Sequence, residues 1–409
     1  MIGVIADDIS GAAEIAGVGL RLGLRAEVLL KGRPSGKADL VCIDTDSRNC
    51  SAGEATRRAA AAAKLLRRSG AQWIYKKVDS VLRGQVAAEI QAIRKELRLK
   101  TVLLHPANPS LGRTIKGGKY FIRGRLLHQT EFARDPAHPR RTASVAKLLS
   151  RTPSFPIQVS QPGAPLAEKG VIICESTSPR DVKTWAKQSS PEMLLAGGAE
   201  FFAALLAARG ARTALSARNG QRTGKPKVRA DSAVRAPQLR ELFVCGTTSQ
   251  SAQKFIQAAR RAGTPVFSLP GELAWGADFT RPALKAVGDQ VLAALRHHPR
   301  VILHTGLPPV SEIRFAQRLA GHLTLLAKTI LQQVDFQHVY AEGGATAVEL
   351  ARRMGWTRLT VLREVAPGVA TLTVNDNPAL QLTIKPGTYV WPEEIQKQPA
   401  APQIKKLKH

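Results

Sequence analysis

Short runs of apolar and β-branched residues recur along the chain, at Ile2 to Ala6, Ala26 to Leu30, Leu40 to Asp44, Trp73 to Val78, Thr101 to His105, Val171 to Cys174, Leu242 to Cys245, Val301 to His304, Val339 to Ala341 and Leu359 to Leu362. Between them lie longer segments whose apolar residues are spaced three and four apart, among them Gly11 to Leu22, Gly53 to Arg68, Val86 to Leu97, Ser249 to Ala262 and Ala345 to Met354. The short runs predict buried strands and the longer segments predict amphipathic helices. Strand and helix in alternation imply an α/β protein built on largely parallel sheets.

A chain of 409 residues exceeds the roughly 250 to 300 at which a single core stops growing, so two domains are expected. The break falls at 209–240, which is rich in Arg, Lys, Ser, Gly and Pro, holds one acid (Asp231) and has few large apolar residues. It reads as a basic linker or surface loop. The expected organisation is a first domain over 1–208, a second over 241–395 and a frayed tail over 396–409, each domain a mostly parallel sheet flanked by helices.

Composition narrows the class. With 44% hydrophobic and 22% charged residues the chain is of ordinary globular type. No apolar stretch approaches the ~20 residues of a spanning helix. The first apolar run is followed at once by Asp7 and Asp8 and preceded by no basic residue, the wrong order for a secretory leader, so a cytoplasmic protein is expected. Cys42, Cys50, Cys174 and Cys245 form no C-x-x-C pair and read as reduced thiols. The formal charge of +29 favours anionic partners. Aromatic residues are only 5% of the chain and none lies in the basic segment, so no stacking platform for a specific nucleic acid is visible. Oligomeric state is not legible.

In open α/β sheets ligands bind beyond the carboxyl ends of the strands. The first strand ends in Asp7-Asp8-Ile9-Ser10-Gly11, adjacent carboxylates suited to accepting a proton from a substrate hydroxyl or, in the plainer reading, to capping the next helix. The third ends in Asp44-Thr45-Asp46-Ser47-Arg48, which suits sugar hydroxyls and is equally ordinary turn chemistry. Lys76-Lys77-Val78-Asp79-Ser80-Val81-Leu82-Arg83-Gly84 leaves the next strand with Lys77 and Arg83 spaced as an anion clamp ahead of a helix bearing Glu89. From His105 to Pro136 runs a Gly- and Arg-rich segment too long for a connector, expected as a lid or substrate loop.

The second half carries Cys245-Gly246-Thr247-Thr248-Ser249, Glu342-Gly343-Gly344-Ala345-Thr346 and Lys385-Pro386-Gly387-Thr388 after apolar runs. The first two put backbone N–H groups at helix N-termini, where phosphate is favoured. Standard nucleotide signatures are missing: Gly32 to Lys37 is one residue short of a Walker A loop and is followed by Ala38, and Gly17, Gly19 and Gly23 fall late in a helix, as packing glycines do. His297, His298, His304 and His322 lack metal-ligand spacing.

Taken together, IADDISGA at Ile5 to Ala12, KVDSVLRG at Lys77 to Gly84, GRTIKGG through GRLLHQTEFARDP, AGGAEFFAALL at Ala196 to Leu206, and EGGATA with EVAPGV resemble the four-carbon acid sugar kinases. The resemblance runs from the first strand to about Pro392, the basic segment excepted. It implies a sugar-acid-binding N-terminal domain, a nucleotide-binding C-terminal domain, ATP with Mg²⁺, and phosphorylation of the terminal hydroxyl of threonate, erythronate or 3-oxo-tetronate. By motif it places Asp7, Asp8, Lys77, Asp79, Ser80 and Arg83 at the sugar acid, with Asp8 or Asp7 as base, and Thr247, Ser249, Gly343, Gly344, Thr346 and Gly387 at the nucleotide. Three turns in the nucleotide half depart from the family pattern, including Ala345 where relatives usually carry an acid. A weakened homologue that senses the sugar acid is therefore one alternative, and a basic nucleic-acid-binding protein, suggested by the charge, is a more distant one.

Overall fold

The computed structural model describes residues 1–135, 138–149, 155–210, 239–270, 281–307, 313–387 and 389–397. Most of the 209–240 segment and of the 396–409 tail lies outside them. The chain divides into two compact units.

The first unit contains β1 (Ile2–Ala6), β2 (Ala26–Leu29), β3 (Leu40–Asp44), β4 (Trp73–Lys77), β5 (Thr101–His105), β6 (Arg113–Lys116), β7 (Lys119–Ile122), β8 (Arg125–Leu126), β9 (Ile157–Ser160), β10 (Gly170–Cys174) and β11 (Met193–Gly197). Eight of these form one parallel run in the order β2-β3-β1-β4-β11-β5-β10-β9. Their residues are apolar almost throughout because helices cover both faces. α1 (Ile9–Arg21), α2 (Ala52–Arg68) and α3 (Val86–Leu97) are the helices that shape the site. The remaining three strands form a separate antiparallel sheet, β6-β7-β8, inside the segment expected to be a lid. Its alternation of charged and apolar residues is that of a small, half-exposed hairpin.

α1 starts where Asp8 takes the N-cap position and its carboxylate accepts the Gly11 N–H at 2.8 Å. The helix buries Ile9, Ala12, Ala13, Ile15, Ala16 and Val18. Gly19 lies against Leu40 of β3, and a β-carbon there would run into the Leu40 side chain. Gly17 and Gly19 are therefore packing residues, Gly23 turns the chain beyond the helix end with φ +87°, and no dinucleotide turn is formed by them.

Strand order brings the site together. β1 sits between β3 and β4, with Ala6 opposite Asp44 and Ile5 opposite Lys76. The chain leaves β1 toward β2 and β3, then crosses to β4 on the other side, which makes the β1/β4 gap a topological switch point where ligands are expected.

The second unit contains β12 (Glu241–Cys245), β13 (Val266–Ser268), β14 (Arg300–His304), β15 (His338–Glu342) and β18 (Asn377–Lys385, from Ala379), parallel in the order β13-β14-β12-β15-β18. Phe243 stacks on Tyr340 with centroids 4.1 Å apart, and Trp391 meets both edge-on. β16 (Arg358–Ala366) and β17 (Val369–Val374) fall between β15 and β18 in sequence, yet Gly355–Pro378 belongs to the first unit. By contacts, then, this segment packs with the first unit although it falls within the expected 241–395 stretch. The reason is pairing: β16 runs antiparallel along β2, with Leu359 opposite Val28, and covers an edge that would otherwise present unpaired backbone groups.

Ala in place of Gly favours a helix by about 1 kcal/mol, but overpacking against Leu40 costs about 1–3 kcal/mol. Gly19→Ala is therefore expected to lower the thermal unfolding midpoint. In a Leu40→Ala background, where the space has been opened, the same substitution should be neutral or raise it.

Candidate functional site

Asp7, Asp8, Arg48, Asp79 and Arg83 converge at the carboxyl ends of β1, β3 and β4. Arg48 is the hub. Its Nε and Nη2 donate to the two Asp7 carboxylate oxygens at 2.8 and 3.0 Å, its Nη1 donates to Asp8 at 2.7 Å, and Nη2 lies 3.9 Å from Asp79. The Ser47 and Arg48 N–H groups both donate to the Asp7 carbonyl, which fixes the turn after β3 onto the turn after β1.

The environments of Asp7 and Asp8 pull them apart. Burial disfavours ionisation of Asp7, but Arg48 and then Lys76 outweigh it and hold Asp7 below the usual carboxylate range. Burial also acts on Asp8 and, although Arg48 opposes it, the neighbouring Asp7 charge adds to it, so Asp8 lies above that range. A pair of carboxyls split in this way is the ordinary arrangement for one fixed anion and one proton acceptor. The plainer expectation for Asp8 is met, since one oxygen caps α1, while the other faces Arg48. Burial pushes Asp44 well up, reinforced by Asp46. Asp79, despite burial, is drawn well below the carboxylate range by Arg83 and Arg48.

Lys77 and Arg83 do not form a free clamp. The Lys77 ammonium is buried, pairs with Glu14 of α1 at 3.0 Å and donates to the Val78 carbonyl at 3.0 Å. Arg83 grips Asp79 through Nε and Nη2 at 3.0 and 2.8 Å and reaches Asp135 at 3.3 Å. The Ser80 hydroxyl accepts from Arg113, and the Ser80 carbonyl accepts from the Tyr120 hydroxyl. Behind Asp7, Lys76 pairs with Glu89 at 3.0 Å, both fully buried, and Ser47 donates to Glu89. Arg48 was visible in the sequence only as the end of an acidic turn. Glu14 and Arg113 carried no sign of their role, because their partners lie far away along the chain.

In the second unit the three expected turns meet because β12, β15 and β18 are neighbours, with Cys245 opposite Glu342 and Glu342 opposite Lys385. Ser249 caps the Gln250–Arg261 helix through the Ala252 N–H, and its hydroxyl donates to the Gly387 carbonyl at 2.8 Å. Gly343 adopts φ +94° at the start of the Gly344–Met354 helix. A β-carbon on Gly246 would collide with the Thr346 hydroxyl, and one on Gly387 would come within 3.1 Å of Thr247 Oγ1. Thr247, Ser249, Gly343, Gly344, Thr346 and Gly387 thus form one cradle of backbone and hydroxyl groups. Beneath it Lys385 and Glu342, both fully buried, pair at 3.2 Å. Ala345 adds no carboxylate, and among the described residues no group of three or more His, Cys, Asp or Glu is placed to hold a metal ion. None of the described helices is long and apolar enough to cross a membrane.

Residues 2–205 match the family model of a sugar-binding N-terminal domain and residues 242–389 that of a nucleotide-binding C-terminal domain. The D-threonate kinase of Salmonella typhimurium is 27% identical over 396 residues, covering 89% of each chain. The 3-oxo-tetronate kinase of Brucella melitensis is 24% identical over 420 residues, covering 95% of this chain and 92% of the relative. Among solved structures, a Haemophilus influenzae protein shares the fold at TM-score 0.67 and 20% identity, covering 94% of this chain and 96% of its own. A Salmonella typhimurium protein does so at TM-score 0.72 and 18% identity, covering 95% and 96%. With a split pair of carboxyls in a sugar-binding domain and a phosphate-type cradle in a nucleotide-binding one, the chain belongs to the four-carbon acid sugar kinase family.

Proposed function

We propose that this sugar-acid kinase transfers the γ-phosphoryl group of ATP to the terminal hydroxyl of a four-carbon acid of the threonate, erythronate or 3-oxo-tetronate class. The observation that carries the reading is the convergence of Asp7 and Asp8 on Arg48 at the β1/β4 switch point. The names of the relatives support the acceptor class.

In this reading the acceptor lies at the β1/β4 switch point, walled by Lys77, Asp79, Ser80 and Arg83. The terminal hydroxyl faces Asp8. Its raised proton affinity suits it to take the hydroxyl proton as the oxygen attacks phosphorus. Asp7, held as an anion, fixes Arg48, and Arg48 in turn fixes the Asp8 oxygen that it touches. The nucleotide phosphates rest on the Gly344 N–H group and on the hydroxyls of Thr247 and Thr346, while Gly343, whose N–H donates to the Lys385 carbonyl, and Ser249, whose hydroxyl donates to the Gly387 carbonyl, shape the turn, and Gly246 and Gly387 allow close approach. ATP supplies the phosphoryl group. Mg²⁺ would accompany the phosphates and neutralise part of their charge. Phosphoryl transfer asks mainly for positioning and charge neutralisation.

Asp8→Asn retains a good helix cap and removes the base. Its kcat should fall by about 10²- to 10⁴-fold with the KM for the sugar acid changed by less than about tenfold. Binding of the acid with no turnover in the unaltered protein would favour the sensor alternative instead.

The base works ionised, so the rate should fall as pH drops through the Asp8 pKa. Because that pKa is raised, the acid limb of kcat should lie above the ~4 of an ordinary Asp. A limb below that value would transfer the role to Asp7.

Gly246→Ala should raise the KM for ATP by about 10- to 100-fold, the loss of one or two charge-assisted contacts, and leave the KM for the sugar acid unchanged. Equal changes in both would remove the cradle from the nucleotide.

A further inference from the structure

The cations at the carboxyl ends of β3 and β4 are already matched with acids of the chain. Arg48 holds Asp7 and Asp8, Lys76 holds Glu89, Lys77 holds Glu14, and Arg83 holds Asp79 and Asp135. To bind a substrate carboxylate, any of them must loosen one of these pairs.

Arg113 differs. It reaches the same place from β6, its Nη1 donates to the Ser80 hydroxyl, and among the described residues no Asp or Glu pairs with it. It is half-buried. A guanidinium presents five donors in a planar fork that matches a carboxylate, and here that fork has one neutral hydroxyl as its side-chain partner.

Its position is fixed at both ends. The Arg113 backbone is tied to Asn108 by N–H and C=O bonds of 3.1 and 2.8 Å, and pairs in register with Ile122 of β7. From β7 the Tyr120 hydroxyl donates to the Ser80 carbonyl. The small antiparallel sheet therefore grips the Asp79-Ser80 turn from two sides and presents one guanidinium beside it. Asp79, the nearest acid in sequence, is occupied by Arg83 and by the Val81 and Arg83 N–H groups.

We propose that Arg113, with the Ser80 hydroxyl beside it, is the subsite that recognises the carboxylate of the acceptor and so selects a sugar acid over a sugar alcohol. The inference rests on the acceptor reading above and adds the residue that reads the acid group. Ser80 supplies a further donor, and the pair is preorganised by the sheet rather than assembled around the substrate.

The test uses the full-length protein, D-threonate and D-erythronate as acids, and the tetritols of matching configuration, in which the carboxylate is replaced by a hydroxymethyl group. Binding is measured by calorimetry and turnover with saturating ATP. Arg113→Gln should weaken binding of the acid by about 10- to 100-fold, leave tetritol binding and the KM for ATP unchanged, and leave kcat within about threefold, because the carboxylate is remote from the reacting atoms. Arg113→Lys should recover part of the acid affinity, keeping the charge and losing the fork. An unchanged acid-to-tetritol ratio in Arg113→Gln overturns the assignment, as does an equal loss for both ligands or a collapse of the ratio in Arg83→Gln instead. If the unaltered protein binds tetritols as well as acids, there is no carboxylate subsite and the inference fails while kinase activity stands. If it binds and phosphorylates neither, the acceptor reading itself fails.

Discussion

Everything at the first site depends on placing three acids, Asp7, Asp8 and Asp79, around one arginine in a buried turn. Removing carboxylates from water is expensive unless they are paired and hydrogen-bonded. Arg48 meets that requirement with a bidentate grip on Asp7, a single bond to Asp8 and a longer approach to Asp79. The asymmetry is what matters chemically. Two equal grips would leave two equally stable anions and no group ready to accept a proton. The unequal one leaves Asp8 as the carboxyl whose charge is least supported.

The second unit rests on a similar device in simpler form. Lys385 and Glu342 are fully buried at the ends of neighbouring strands, directly under the cradle glycines. The Lys385 ammonium also donates to the carbonyls of Pro386 and Tyr389, so the chain bends around a charge before Gly387 meets Ser249. Neither residue needs to touch a ligand for the pair to set where the backbone N–H groups point. In both units, then, a buried ion pair next to a strand end holds a polar turn in place.

Much of this was legible in the sequence. The apolar runs located most of the parallel strands within a residue or two, because strands covered on both faces read as continuous hydrophobic stretches. The acidic and glycine-rich strand ends pointed to the two polar clusters that the strand order brings together. What could not be read was partnership. Lys77 and Arg83 looked like a clamp since they are close in sequence, yet Glu14 and Asp79 neutralise them in space. Arg48 looked like part of a polar turn, because its role comes from β3 lying beside β1. The β6–β8 sheet was invisible for want of a long apolar face, and β16 and β17 carried no mark of which unit would receive them.

That last point bears on how the protein is made. β2 spans Ala26–Leu29, whereas the strand that covers its outer edge, β16, is synthesised only after β12 to β15 of the second unit. At about 5–20 residues per second, on the order of tens of seconds separate the emergence of the two partners from the ribosome. Throughout that interval the growing first sheet has an uncovered edge at β2. The β2 edge is therefore open to wrong pairing until β16 arrives, and the first unit is completed only after β12 to β15 of the second have been made.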